Sequence, residues 1–183
     1  MTLKNSMMAA ALLAATATPA VLAGNDAKFD GLYGGIEAGV DWTKLRGDTG
    51  RDRSLYYGGL LGYRVQTGSD LVYGFEGTFG DNGYTDETLG RHIGTEYSGS
   101  FMLGTAFGQD KANLLYTKLG YVRARVHETG EDGNRYTEEG WRIGGGYERA
   151  INTNVSLRFG LDYTRYGEDE NQIQGKAGLL VKF

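Results

Sequence analysis

The last eight residues of the sequence are Lys176-Ala177-Gly178-Leu179-Leu180-Val181-Lys182-Phe183. It reads polar, any residue, glycine, any two residues, hydrophobic, any residue, aromatic. Successive side chains of an extended chain point to opposite faces, so Lys176 and Lys182 share one face and Phe183 lies on the other. The octet therefore predicts a last β-strand with a polar and an apolar face. The last strand of a soluble barrel can show the same pattern.

The octet resembles the C-terminal β-signal by which outer-membrane β-barrel proteins are delivered to the barrel assembly machinery. The resemblance assigns the assembly signal to Lys176, Gly178, Val181 and Phe183. It also implies that the barrel assembly machinery is a partner of this chain.

The composition is typical of alternating strands. The 183 residues include 31 Gly and 13 Tyr, and the single proline, Pro19, lies near the N-terminus. No later stretch is long and apolar enough to predict a membrane-spanning helix. Cysteine is absent, which excludes disulfide bonds and cysteine-bound metal, and no cofactor is expected. The net charge of −4 argues against a nucleic-acid partner.

The N-terminal stretch predicts export. Lys4 gives a basic start, an apolar run begins at Met7, and the short residues Val21 and Ala23 occupy the positions that signal peptidase reads. We therefore predict a signal peptide at residues 1–23. An exported chain without a membrane helix is periplasmic, secreted or an outer-membrane barrel, and the barrel interpretation assigns residues 24–183 to the barrel.

Period-two alternation recurs along the mature chain. In residues 155–166, for example, Leu157 and Phe159 oppose Ser156 and Arg158. Eight such segments are predicted as strands: 32–42, 55–66, 71–80, 95–107, 113–126, 140–149, 155–166 and 173–183. Their connections alternate between long and short, as a barrel with both termini in the periplasm requires. The fold class is therefore predicted to be all-β, an eight-stranded antiparallel up-and-down transmembrane β-barrel.

Two stretches resemble the opacity-type or porin-like family of small outer-membrane barrels. They are Asp30-Gly31-Leu32-Tyr33-Gly34-Gly35 at the first strand and the segment from Gly144 through Tyr166. The resemblance implies a Gram-negative outer membrane and a role in envelope integrity, adhesion or immune evasion, with a host or extracellular ligand that it does not identify.

The two faces of the strands predict a membrane-facing wall and a charged interior. The outward aromatic residues fall into a loop-side girdle (Trp42, Tyr57, Phe79, Tyr97, Tyr121, Trp141, Tyr163) and a turn-side girdle (Tyr63, Tyr73, Phe107, Tyr147, Phe183). The inner face carries a predicted charge network of Glu37, Arg64, Glu76, Lys118, Arg142, Glu148, Arg158, Asp162 and Lys176, with Asp41 and Lys182 on the same face. Because side chains about fill an eight-stranded barrel, these charges are expected to pair and plug the lumen.

Two other functions stay open. A small-solute channel would need an open lumen. A lipid A-modifying enzyme would need a nucleophile with a base, and His127-Glu128-Thr129 only partly resembles the His-x-Ser core of lipid A deacylases. We expect no catalytic residue, no metal site and a non-enzymatic role.

Three outward arginines at the loop-side strand ends, Arg123, Arg125 and Arg165, predict a lipopolysaccharide rim. A guanidinium at that level can bind a phosphate bidentately while its stem lies along the apolar wall. Outer-membrane lipids and lipopolysaccharide are thus the expected partners. The alternative is that these arginines are solvated loop charges.

Overall fold

The computed structural model describes residues 28–44, 52–86, 91–128, 135–166 and 170–183. They form β1 (Gly31–Lys44), β2 (Asp52–Gln66), β3 (Leu71–Asp86), β4 (Arg91–Phe107), β5 (Asn113–Glu128), β6 (Arg135–Ala150), β7 (Val155–Tyr166) and β8 (Glu170–Lys182). Each strand pairs with the next, and the antiparallel pairing of β1 with β8 closes the barrel. The predicted fold is confirmed. The predicted signal peptide, 1–23, lies outside the described residues.

The three short connections lie at one end of the barrel, which we call the turn end. They span residues 67–70, 108–112 and 151–154. The second of these turns has Gly108 at φ 94°, a left-handed conformation that glycine adopts without a steric penalty. At the same end the backbone N–H of Phe183 donates to the carbonyl of Leu32 at 3.0 Å. The last residue is therefore tied to the first strand.

At the opposite end, the loop end, the predicted strand boundaries were wrong. Strand β3 continues to Asp86 instead of ending at residue 80, β4 begins at Arg91 instead of 95, and β6 begins at Arg135 instead of 140. The extra pairing includes Asp86 with Arg91 and His127 with Arg135. The hydrophobic alternation ends before the strands do, because a strand that rises out of the membrane meets water on both faces.

These extensions form a four-stranded sheet that we call the outer wall, made of residues 83–86, 91–95, 125–128 and 135–139. The β2–β3 pairing stops at Asn82 and the β6–β7 pairing starts at Gly140. Among the described residues, the outer wall is therefore paired with neither β2 nor β7.

The outward face of the barrel is an apolar band. Phe75 lies edge-on to Phe101 with ring centroids 5.3 Å apart, and Phe79 contacts Tyr97 at 5.1 Å. Leu61 is 59% exposed and Leu119 is 57% exposed. A continuous apolar surface of this kind marks contact with a membrane or another protein. Among the described residues no helix is long and apolar enough to cross a membrane.

Inside the barrel, tyrosine rings lie on glycines of neighbouring strands. A Cβ atom added to Gly62 would lie 2.5 Å from the ring of Tyr33, and one added to Gly80 would lie 2.4 Å from the ring of Tyr56. Both tyrosines are buried. The interior is filled because each large ring takes the space that a missing side chain leaves.

The turn end of the lumen is closed by apolar side chains. Phe29 is fully buried and packs in a cluster that contains Val72, Met102 and Leu114. Its backbone N–H donates to Oε1 of Gln66 at 3.0 Å. Residue 29 precedes the first predicted strand, 32–42. In the structure its side chain covers the turn end of the lumen.

Candidate functional site

The turn-end half of the lumen holds two acids between two arginines. Arg64 donates two hydrogen bonds of 2.8 Å to the two oxygens of Glu148. Arg158 donates to the same carboxylate at 2.9 and 3.0 Å, and its other nitrogen pairs with Glu76. Tyr33 adds its hydroxyl to Glu76 at 2.8 Å, and Arg64 lies 4.3 Å from the centroid of the Tyr33 ring. All five side chains are buried.

The middle of the lumen continues this chain of ion pairs. Lys118 lies 3.5 Å from Glu76 and 3.2 Å from Asp162, measured from nitrogen to oxygen. Lys176 lies 2.7 Å from Asp162 and 3.1 Å from Glu37. Eight of the nine predicted residues therefore form one continuous chain of ion pairs from Glu37 to Arg64. We call it the central network.

Arg142, the ninth predicted residue, does not join the central network. Its guanidinium lies 2.7 Å from Glu96 and donates to Thr164 Oγ1 at 2.7 Å. The hydroxyl of Tyr166 lies 3.3 Å from Glu96 and 3.1 Å from Gln172. These buried residues form a second polar cluster nearer the loop end.

The predicted network omitted Glu96 and the tyrosine hydroxyls. The alternation could have found Glu96, because it is the neighbour of Tyr97, which was predicted to face outward. The tyrosines also alternate onto the inner face. The Tyr33 ring lies over its register partner Gly62, whereas the Tyr56 side chain lies over Gly58 and Gly80 and not over its register partner Gly39. Inward tyrosines surrounded by glycines on their own and the adjacent strands thus indicate rings that lie across the strands.

Charges inside this lumen interact strongly because the surroundings have a low effective dielectric constant. Each buried acid of the central network contacts at least one base, and Glu148 contacts two. Pairing offsets the desolvation that burial imposes on each charge. The arrangement can fill and rigidify the barrel. Within the described residues, no group of three or more histidine, cysteine or carboxylate side chains could hold a metal ion.

The predicted rim arginines lie on the outward face at the loop end. Arg123 pairs with Glu139 at 2.7 Å and is 64% exposed. Arg125 lies 5.7 Å from the centroid of the Tyr97 ring. Arg165 is exposed on β7, where its register partner is Trp141. The structure thus places all three beside aromatic residues, but it divides them between β5 and β7.

The four residues of the predicted assembly signal divide between the two faces of β8. Lys176 points inward and is buried in the central network, and Gly178 lies opposite Arg158 on β7. Val181 and Phe183 point outward and are 40% and 53% exposed. In the folded barrel the polar member of the octet is therefore hidden and the aromatic member is accessible.

A family model described as "outer membrane protein beta-barrel domain" matches residues 7–183. The chain belongs to this family. The predicted resemblance to small opacity-type or porin-like barrels is confirmed, and the protein is located in the bacterial outer membrane.

Named relatives agree with this family. The chain is 30% identical over 173 residues to a 22 kDa outer membrane protein of Rhizobium leguminosarum bv. viciae, with 84% of this chain and 79% of the relative covered. It is 25% identical over 158 residues to the 25 kDa outer-membrane immunogenic protein of Brucella ovis, with 84% and 77% covered.

Solved structures share the fold. Neisserial surface protein A matches with a TM-score of 0.62 and 18% identity, covering 84% of this chain and 98% of that one. The attachment invasion locus protein Ail of Yersinia pestis matches with a TM-score of 0.57 and 19% identity, covering 84% and 99%.

Proposed function

We propose that this outer-membrane barrel is non-enzymatic, that paired charges plug its lumen, and that it serves envelope integrity or surface interaction. The observation that carries the proposal is the central network, which links Glu37 to Arg64 through unbroken contacts across the barrel interior. Phe29 adds an apolar cover at the turn end. An ion crossing the lumen would have to separate buried pairs, which is costly.

Conductance in planar bilayers tests the plug against the small-solute channel. The wild-type barrel should insert and give no steady ion current. Its folded state in the same membranes is checked by the shift in electrophoretic mobility that heating produces. A steady current through folded protein would favour the channel.

Mass analysis of lipid A tests the enzymatic alternative. Lipid A from cells with and without the protein should have the same acyl composition, because most of the charged side chains of the described lumen are held in ion pairs with one another. A mass change that depends on the protein would overturn the non-enzymatic assignment.

Lipopolysaccharide is the partner that we propose for the outward rim. Arg123, Arg125 and Arg165 lie at the loop end, where aromatic neighbours and an apolar wall meet the level of the outer-leaflet phosphates. A charge-assisted contact contributes about 1.5–3 kcal/mol when partly desolvated. Existing contacts such as Arg123 with Glu139 would have to rearrange or be shared with the phosphate.

Replacing the three arginines with glutamine should reduce the thermal stabilisation of the refolded barrel by lipopolysaccharide. The matched control replaces Arg46, Arg51 and Arg53, three arginines in and next to the β1–β2 connection, in the same way. A larger loss in the control would move the binding site to that connection.

A surface role draws support from two observations. Strands β3 to β6 remain paired with one another in the outer wall at the loop end, and the Brucella ovis relative is named as immunogenic. A deletion strain should show either increased detergent sensitivity or reduced binding to host surfaces. Increased detergent sensitivity would support envelope integrity, and reduced binding to host surfaces would support surface interaction. A strain that is unchanged in both properties would contradict the proposal.

A further inference from the structure

The buried charges of the described lumen do not balance. Six acidic side chains are buried (Glu37, Asp41, Glu76, Glu96, Glu148 and Asp162) against five basic ones (Arg64, Lys118, Arg142, Arg158 and Lys176). Five of the acids lie within ion-pair distance of a base. For the remaining acid, Asp41, the described residues provide no ion-pair partner.

Asp41 is fully buried at the loop end of the lumen. One carboxylate oxygen, Oδ2, accepts a hydrogen bond from Gln172 at 3.1 Å; among the described residues the other, Oδ1, meets no donor at full hydrogen-bond geometry, although the Gln174 side chain lies close enough to interact with the carboxylate. The nearby charged groups are Glu96, Arg142 and Lys176. Arg142 is already paired with Glu96, and Lys176 is already paired with Glu37 and Asp162. Burial of an uncompensated carboxylate is strongly unfavourable.

A second buried oxygen acceptor, Gln174, lies across from Asp41 on the adjacent strand. Gln174 is the direct register partner of Asp41 across the β1–β8 pair, with the same inward orientation and complete burial. Its amide nitrogen lies 3.5 Å from Glu96, and among the described residues its carbonyl oxygen Oε1 has no hydrogen-bond partner. A carboxylate oxygen and an amide oxygen, both without a donor at full hydrogen-bond geometry in the described lumen, thus occur on adjacent strands. Oxygens of this kind are ligands for hard cations.

A small cavity at the loop end lies on the far side of Gln172 from Asp41. It is lined by Thr43, Glu138, Tyr166, Glu170 and Gln172, among others. Gln172 links the cavity to Asp41 through its hydrogen bond. Acidic side chains around a narrow cavity raise the local concentration of cations.

We propose that the loop end of the lumen binds one monovalent metal cation, Na⁺ or K⁺, through the Asp41 carboxylate and the Gln174 amide oxygen. A single positive charge neutralises the single surplus negative charge. Ca²⁺ takes six to eight oxygen ligands and Mg²⁺ gives up its water reluctantly, so two protein oxygens and one surplus charge fit a monovalent ion better. This site is independent of the proposed function, because it requires neither a surface ligand nor a particular envelope role.

The test measures the thermal unfolding midpoint of the refolded barrel in NaCl, KCl or choline chloride at equal ionic strength. Choline is too large to be held between these two side chains. The wild-type midpoint should be higher in NaCl or KCl than in choline chloride. In Asp41→Asn the difference should vanish, because the surplus charge is gone. In Gln174→Lys it should also vanish, because a built-in ammonium replaces the metal ion. Ser100→Ala, at another buried polar lumenal residue, should keep it.

Three results would overturn the proposal. Equal wild-type midpoints in all three salts would exclude a monovalent site, and a salt difference that persists in Asp41→Asn would place the ion elsewhere. Stabilisation by Ca²⁺ or Mg²⁺ alone would assign the site to a divalent ion. A midpoint that rises on acidification without any Na⁺ or K⁺ dependence would show that a proton neutralises Asp41, and would also count against the metal ion.

Discussion

At the scale of single residues, the lumen depends on carboxylates that each pair with two basic side chains. Glu148 accepts hydrogen bonds from both Arg64 and Arg158. Removing this one carboxylate leaves two buried guanidinium groups short of a partner. The outward pair of Arg123 with Glu139 has the same charges but is solvent-exposed, so it provides a matched comparison.

We expect Glu148→Ala to lower the free energy of unfolding by about 3–5 kcal/mol, the usual cost of breaking a buried ion pair from one side. Glu139→Ala should cost less than about 1 kcal/mol, because exposed pairs contribute little. Urea unfolding of the refolded barrel in lipid vesicles measures both. Equal losses would mean that the lumenal pairs are solvated.

The residues of the lumen could be predicted from the sequence, but their partners could not. The period-two alternation of side chains alone placed Glu37, Glu76 and Asp162 on the inner face. Arg64 and Glu148 are separated by 84 positions, and only closure and stagger of the barrel decide that they meet. Glu96 follows the same alternation, but it lies at the edge of a register shift between residues 93 and 96, and its pairing with Arg142 likewise depends on barrel closure and stagger.

At the scale of strands, packing depends on glycines that receive tyrosine rings from a neighbouring strand. Gly62 on β2 receives Tyr33 from β1, whereas a Cβ atom on Gly99 of β4 would meet no atom within 4 Å. Both glycines lie within paired strands. The same substitution therefore has opposite packing consequences at the two positions.

Gly62→Ala should destabilise the barrel by about 1–3 kcal/mol, because the new methyl group overpacks the Tyr33 ring. Gly99→Ala should be neutral or stabilise by about 0.4–1 kcal/mol, because alanine reduces the entropy of the unfolded chain. Urea unfolding midpoints distinguish the two variants. A neutral Gly62→Ala would show that the ring moves aside without cost.

The last strand supplies a prediction about assembly. Phe183→Ser removes the accessible aromatic side chain and leaves the buried Lys176 ion pairs intact. We expect less folded, heat-modifiable protein in outer-membrane fractions, while the same variant refolded in detergent should retain most of its stability. Unchanged yield in cells would contradict an assembly role for the octet.

Strand positions were predictable where one face meets lipid and the other meets the lumen, because only there does the sequence alternate. In the loop-end extensions of β3 to β6, the sequence no longer alternates, so alternation cannot identify the strand there. Residues 81–94 were predicted to be a loop, and the structure places 81–86 in β3 and 91–94 in β4. Their polar composition reflects solvent on both sides of the sheet, which sequence periodicity cannot distinguish from a loop.

At the scale of the whole molecule, stability should be graded along the barrel axis. The middle of the barrel carries the lumenal ion pairs and the outward apolar band. The outer wall lies beyond this band, where we expect it to stand clear of the bilayer. Regions with fewer buried contacts open more readily than the core of a fold.

Amide hydrogen exchange should therefore be faster in residues 84–86 of β3 than in residues 74–78 of the same strand. Residues 155–166, whose strand lacks such an extension, should be protected along most of their length. Uniform protection of β3 would mean that the outer wall is as rigid as the membrane-embedded barrel.

The outer wall also affects how antibodies would recognise this protein. Its segments come from four different strands, and pairing between strands brings them together. An epitope on this sheet is therefore conformational. We expect antibodies raised against the folded barrel to bind intact cells and to lose binding when the protein is boiled. Antibodies raised against linear peptides from the same segments should recognise the boiled protein far better than the cell surface.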